Sequence, residues 1–126
     1  MHRLKSLLLV FLIASPICAW SQWVKVGEND VAEYFIDPTT VRQDNSLIRM
    51  WEIRSLNQRN AEGVWSRMSW KEFDCLKNRV RTLSFTDYSR PMANGDILLS
   101  DKKSAPWAGI EPGTVGASLH KLVCIK

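Results

Sequence analysis

Apolar and polar residues alternate along most of this chain. The longest run, Leu47 to Leu56, puts Leu47, Arg49, Trp51 and Ile53 on one face and Ile48, Met50, Glu52 and Arg54 on the other. That period of two is the spacing of a β-strand, and its length predicts a central one. Val64 to Cys75 repeats the pattern, with Trp65, Arg67, Ser69, Lys71, Phe73 and Cys75 on one face and Val64, Ser66, Met68, Trp70, Glu72 and Asp74 on the other. Arg79 to Asp87 and Gly95 to Ser100 alternate again, and Trp23 to Gly27 with Val31 to Ile36 reads as an opening hairpin across Glu28-Asn29-Asp30.

Punctuation between these runs has its own chemistry. Asp37 before Pro38 suits the cap and first residue of a single helical or 3₁₀ turn, which Arg42 to Asn45 closes. Leu76-Lys77-Asn78 reads as a tight turn, and Tyr88 to Gly95 as a loop, because it holds Pro91 and Asn94-Gly95. Prolines and glycines around Trp107 predict a rigid irregular connection from Asp101 to Gly113. The period then becomes helical: Val115, Leu119, Leu122 and Val123 form a stripe, Thr114 can cap it, and Lys121 and Lys126 sit at the end the helix dipole favours for cations. An apolar stripe needs a surface to cover, and the sheet supplies it. The predicted fold is α+β: a six-stranded antiparallel β-sheet with a C-terminal α-helix packed on one face.

The N-terminus carries a different signal. Arg3 and Lys5 precede an apolar stretch from Leu7 to Ile13, the charged and apolar regions of a secretory signal peptide, too short for a transmembrane helix. Small residues at Ala19 and Ser21 favour cleavage after Ser21, giving a signal peptide over 1–21, one domain over 22–126 and no transmembrane segment in the mature chain. Cys18 is the position a lipid anchor would use, but Ile17 and Ser15 make a poor lipoprotein box. The location expected is the periplasm or cell surface of a bacterium. Processing removes Arg3 and Lys5, leaves 15 basic against 13 acidic residues, and lowers the formal charge from +4 to +2. That charge is far short of a nucleic-acid footprint.

Export leaves Cys75 and Cys124, an even pair in an oxidising compartment, which reads as one disulfide between sheet and helix. Neither has a CxxC neighbour or a ligand cluster in sequence, so no metal and no cofactor is expected. His120 is the single histidine left after processing, and catalysis therefore has little to work with.

Tyr34-Phe35-Ile36-Asp37, Arg49-Met50-Trp51, Glu72-Phe73-Asp74-Cys75, Arg79-Val80-Arg81, Tyr88-Ser89, Trp107, Ile110-Glu111-Pro112-Gly113-Thr114 and Val123-Cys124 occur in an order and spacing that resemble the bacterial surface-adhesin protein E family. The resemblance spans nearly all of the mature chain. It implies a six-stranded sheet with a disulfide-tethered helix, and a non-enzymatic domain that binds host extracellular-matrix or serum proteins and forms dimers. An envelope assembly component whose ligand is its own homodimer is a further reading.

Three groups of residues are candidates for function. Glu72 and Asp74 share a strand face as an acid/base pair would, which is the basis of an alternative reading as a periplasmic enzyme or accessory protein; ion pairing across the strands to Arg79 and Arg81 accounts for them without chemistry. Lys77, Arg79 and Arg81, extended by Arg67 and Lys71, predict a basic stripe for a polyanionic ligand or an acidic segment of a protein. Trp65 and Trp70 have opposite parity on one strand, so one of them faces away from the helix. The candidate binding surface is thus Arg67, Lys71, Lys77, Arg79, Arg81, Trp65 and Trp70.

Overall fold

A computed structural model describes residues 22–125. The expected signal peptide and Cys18 lie outside the described residues. The elements are β1 (Val24–Glu28), β2 (Ala32–Ile36), a 3₁₀ turn (Pro38–Thr40), β3 (Arg42–Asp44), β4 (Leu47–Leu56), β5 (Ser66–Asp74), β6 (Arg79–Arg90), β7 (Asn94–Asp101), β8 (Ala108–Gly109) and α1 (Val115–Val123).

All pairings in the sheet are antiparallel, in the order β1-β2-β4-β5-β6-β7, with β3 also on β4 and β8 also on β6. Eight strands rather than six among the described residues is a correction with a simple geometric cause. Two of the six lanes are each built from two pieces. β2 pairs with residues 52–56 of β4 and β3 with residues 47–49, so both run along one edge of the same strand. β7 and β8 divide β6 in the same way, β8 meeting only Arg79 and Val80. The first interruption is the 3₁₀ turn, where the Asp37 side chain accepts from the Thr39 backbone N–H and Pro38 occupies the first turn. A run of three residues such as Arg42-Gln43-Asp44 is too short and too polar for periodicity to mark as a strand.

Alternation decides the core. Ile48 and Met50 of β4, Phe73 of β5 and Ile36 of β2 project to one face, where Leu119 of α1 and Ile110 close over them; Met50, Phe73 and Leu119 are essentially solvent-free. The helix begins where the sequence predicts, with the Thr114 hydroxyl accepting from the Ala117 N–H. It crosses β1 at Gly27, where a Cβ would come within 3.0 Å of Val115 Cγ1, so the missing side chain is what lets the helix settle. Its far end is fixed by the Cys75–Cys124 disulfide, with Cα atoms 5.6 Å apart and a sequence separation of 49.

The β6–β7 connection is shorter than predicted. Tyr88, Ser89 and Arg90 belong to β6, and the turn is confined to Pro91-Met92-Ala93. Met92, Ala93 and Gly95 all have positive φ (57°, 56° and 80°). For the two non-glycine residues such backbone costs about 1 kcal/mol or more each. The opposite ends of β4 and β5 hold it: the Met92 N–H donates to Ser55 Oγ (3.3 Å) and the Ala93 N–H to Ser66 Oγ (2.9 Å), while the Ser66 hydroxyl donates to the Arg90 carbonyl. The loop reading failed because turn residues were visible and these two buried serines, distant in sequence, were not.

Candidate binding surface

The helix occupies one sheet face. The other carries no helix among the described residues, and it is built from the alternate residues of the same strands. Register brings Arg49 of β4 opposite Glu72 of β5 and Glu72 opposite Arg81 of β6; one step along, Leu47, Asp74 and Arg79 are aligned, and one step the other way, Trp51 meets Trp70.

Those alignments become contacts. Glu72, fully buried, is bracketed by two half-buried arginines, accepting from Arg49 Nε on one oxygen and from Arg81 at 2.7 Å on the other. Asp74 takes Arg79 Nε at 3.0 Å and also the backbone N–H groups of Leu76 and Lys77. The guanidinium groups of Arg79 and Arg81 lie 4.4 and 4.3 Å from the centre of the Trp107 ring, within cation–π range. Trp51 and Trp70 pack with ring centres 5.2 Å apart and planes tilted by 46°. The result is a row of arginine and aromatic side chains, partly exposed and held from beneath by buried carboxylates.

The predicted surface does not hold together as one stripe. Arg79, Arg81 and Trp70 share the helix-free face. Arg67 and Lys71 have the other parity and point to the helix side, beyond the helix itself, where Arg67 forms a two-point pair with Asp87 (2.6 and 3.0 Å) and stacks on Phe85, and Lys71 donates to Thr82 Oγ1. Lys77 lies in the β5–β6 turn, not on a strand. Trp65 precedes β5 and stacks under Arg59 at 5.2 Å. The error was in extending a stripe across the hairpin: the register sets Arg79 against Asp74 and Arg81 against Glu72, so residues 67 and 71 fall on the opposite face.

Two carboxyl groups depart from their ordinary range in opposite directions. Burial pushes Asp74 up, but the Lys77 N–H, the Arg79 guanidinium and the Leu76 N–H outweigh it and hold the carboxyl below the usual aspartate range. On the helix side, burial pushes the Glu52 carboxyl up, and Lys71 and Arg54 only partly counter it. Cys75, Cys124 and His120 form a separate group with their potential ligand atoms within 4.8 Å of one another, although the sequence shows no ligand cluster.

Sequence reasoning missed Arg49, Trp51 and Trp107 as members of the surface. The first two were legible, since they sit on one face of the Leu47–Ile53 alternation. Trp107 was not. It reaches Arg79 and Arg81 only because β8 pairs beside the start of β6.

Comparison with known proteins fits this architecture. No curated protein matches the chain. Crystal form II of Haemophilus influenzae protein E superposes with a TM-score of 0.65 at 15% identity, covering 82% of this chain and 87% of that one. The protein E structure from non-typeable Haemophilus influenzae gives 0.56 at 17%, covering 88% and 80%. The family model described as surface-adhesin protein E matches residues 23–125. The chain belongs to the surface-adhesin protein E family.

Proposed function

We propose that this chain is an exported, non-enzymatic binding domain of the bacterial periplasm or cell surface, and that its partner seats on the helix-free sheet face. Trp70, Arg79 and Arg81, with Trp51, Arg49 and Trp107, make the contact. One observation carries the reading: these side chains stay partly exposed yet are already ordered by buried Glu72 and Asp74 and by stacking. Arginine and tryptophan dominate binding hot spots, and side chains fixed in advance lose less entropy on association.

Charge favours a protein over a polyanion. Arg49, Arg79 and Arg81 stand against Glu72 and Asp74, an excess of a single positive charge. A host extracellular-matrix or serum protein, or an envelope protein, meets such a surface better than a sulfated glycan would. The same pairs argue against the enzyme alternative, because Glu72 and Asp74 already have their oxygens engaged by arginines and turn N–H groups.

Immobilised basement-membrane extract, whole serum and heparin are the probes. Trp70→Ala and the pair Arg79→Glu with Arg81→Glu are expected to lose at least tenfold in binding to the protein probes, about 1.4 kcal/mol. Unchanged binding by folded variants would remove this face from consideration; retained heparin binding alone would favour the polyanion.

A second reading rests on β7, an edge strand with Ile97, Leu98 and Leu99 exposed in succession. Such an edge is a template for pairing with another strand, and self-association there would make a homodimer. Light scattering coupled to size exclusion tests it: Leu98→Lys is expected to shift a dimer to monomer, and a parent chain monomeric at high concentration would dismiss it.

A further inference from the structure

Among the described residues, sulfur and imidazole meet at the disulfide. Cys75, Cys124 and His120 come from the end of β5 and the last turns of α1, and one potential ligand atom from each lies within 4.8 Å of the other two. Both cysteines are only partly buried. They line an open cleft of about 570 Å³ with Ser46, Ile48, Leu76 and Val123, which gives a reagent and a further ligand room to reach the sulfurs. Nε2 of His120 lies 3.3 Å from the Asp74 carbonyl oxygen. With Nε2 as the donor, that bond fixes the ring and leaves Nδ1 with the free lone pair, the kind of backbone anchor that metal-bound imidazoles commonly have.

We propose that reduction converts this staple into a Cys₂His site for a thiophilic cation of the zinc class, with the cleft open to a water as fourth ligand. A dithiol of the thiol–disulfide oxidoreductase class supplies two electrons and two protons; the Cys75–Cys124 bond breaks, the dithiol becomes a disulfide, and two thiols result. The divalent ion then binds both sulfurs and the imidazole and releases the two thiol protons. Two thiolates and a neutral imidazole match zinc in both charge and softness, and three protein ligands with one open position is a common tetrahedral arrangement. The physical consequence is a choice of cross-link. Either the S–S bond or the ion ties α1 to β5, so the helix stays docked in both redox states.

The test uses the mature chain reduced with a phosphine, titrated with Co²⁺ and then Zn²⁺. A thiolate-to-cobalt absorption band is expected, lost on addition of zinc and absent from the oxidised chain. His120→Ala should weaken zinc binding by at least about tenfold to a hundredfold, since removing a direct ligand costs no less than removing the partner that orients one. The double variant Cys75→Ser with Cys124→Ser should show no band. Because reduction alone can loosen the fold, melting is followed in parallel: zinc must raise the Tm of the reduced parent and leave that of the double variant unchanged. A reduced chain that shows no band, that stays unfolded with zinc present, or that binds as tightly with His120→Ala overturns the proposal.

Discussion

The two faces of this sheet come from the same four central strand segments and have opposite characters. On the helix side, Ile36, Ile48, Met50 and Phe73 are sealed beneath Leu119 and Ile110, and the disulfide closes one end. On the other side, Arg49, Trp51, Trp70 and Arg81 occupy the neighbouring positions of β4, β5 and β6, and buried Glu72 supplies order where the first face uses hydrophobic contact. The difference shows how one stretch can serve both purposes. Phe73 anchors the core while Glu72 and Asp74, its immediate neighbours, hold the arginines of the opposite surface.

Stability should divide along the same line. Phe73→Ala removes a solvent-free aromatic and is expected to cost about 3–5 kcal/mol in chemical denaturation. Trp70→Ala, three residues earlier and on the partly exposed face, should cost no more than about 2 kcal/mol. Equal losses would mean that the helix-free face is packed as tightly as the core and is not available to a partner.

Cys75→Ser probes the seam where the helix is tied down. Under oxidising conditions it should lower stability by about 4 kcal/mol on the chain-entropy model, for a loop of 49 residues. Melting that matches the parent would mean helix packing alone secures the covered face.

Glu72→Gln tests the support of the opposite face. It leaves Arg49 and Arg81 without their shared charge, at a cost of about 2 kcal/mol, less than a fully buried pair because both arginines keep about a third of their side-chain surface in water. A neutral result in urea denaturation would make Glu72 dispensable and the arginines free agents.

The smallest effects are those of pH, and they have opposite signs on the two faces. Asp74 titrates below its ordinary 3.8 in the folded chain, so its contribution is present above that value and fades as pH falls through its lower folded value. Asp74→Asn should therefore destabilise at pH 7 and become equal to the parent in strong acid. Glu52 titrates above its ordinary 4.5, so ionising it weakens the fold as pH rises from that value. Glu52→Gln should raise the Tm at pH 7 and give no gain below pH 4. Parallel pH profiles for the two variants would show that burial does not govern the helix side.

Much of this was legible. Alternation in Leu47–Leu56 and in residues 66–74 assigned side chains to faces correctly, and the change of period at Val115, with Thr114 before it, located the start of the helix to the residue. The ion pairs of Glu72 and Asp74 with Arg81 and Arg79 were legible as well, because a tight turn fixes which residues face each other. The extended basic stripe was not correct, since Arg67 and Lys71 lie on the wrong face for it.

Sequence by itself determined the long strands and the helix, their inward and outward residues and the cysteine pair, because period, capping and turn chemistry act over a few neighbouring residues. Tertiary structure alone decided the rest. It split two lanes of the sheet, placed Trp107 over Arg79 and Arg81, pinned the Met92-Ala93 turn with serines from β4 and β5, and brought His120 to the disulfide. Each of those depends on register between segments far apart in the chain, and register is set by the packing of the whole sheet rather than by any local pattern.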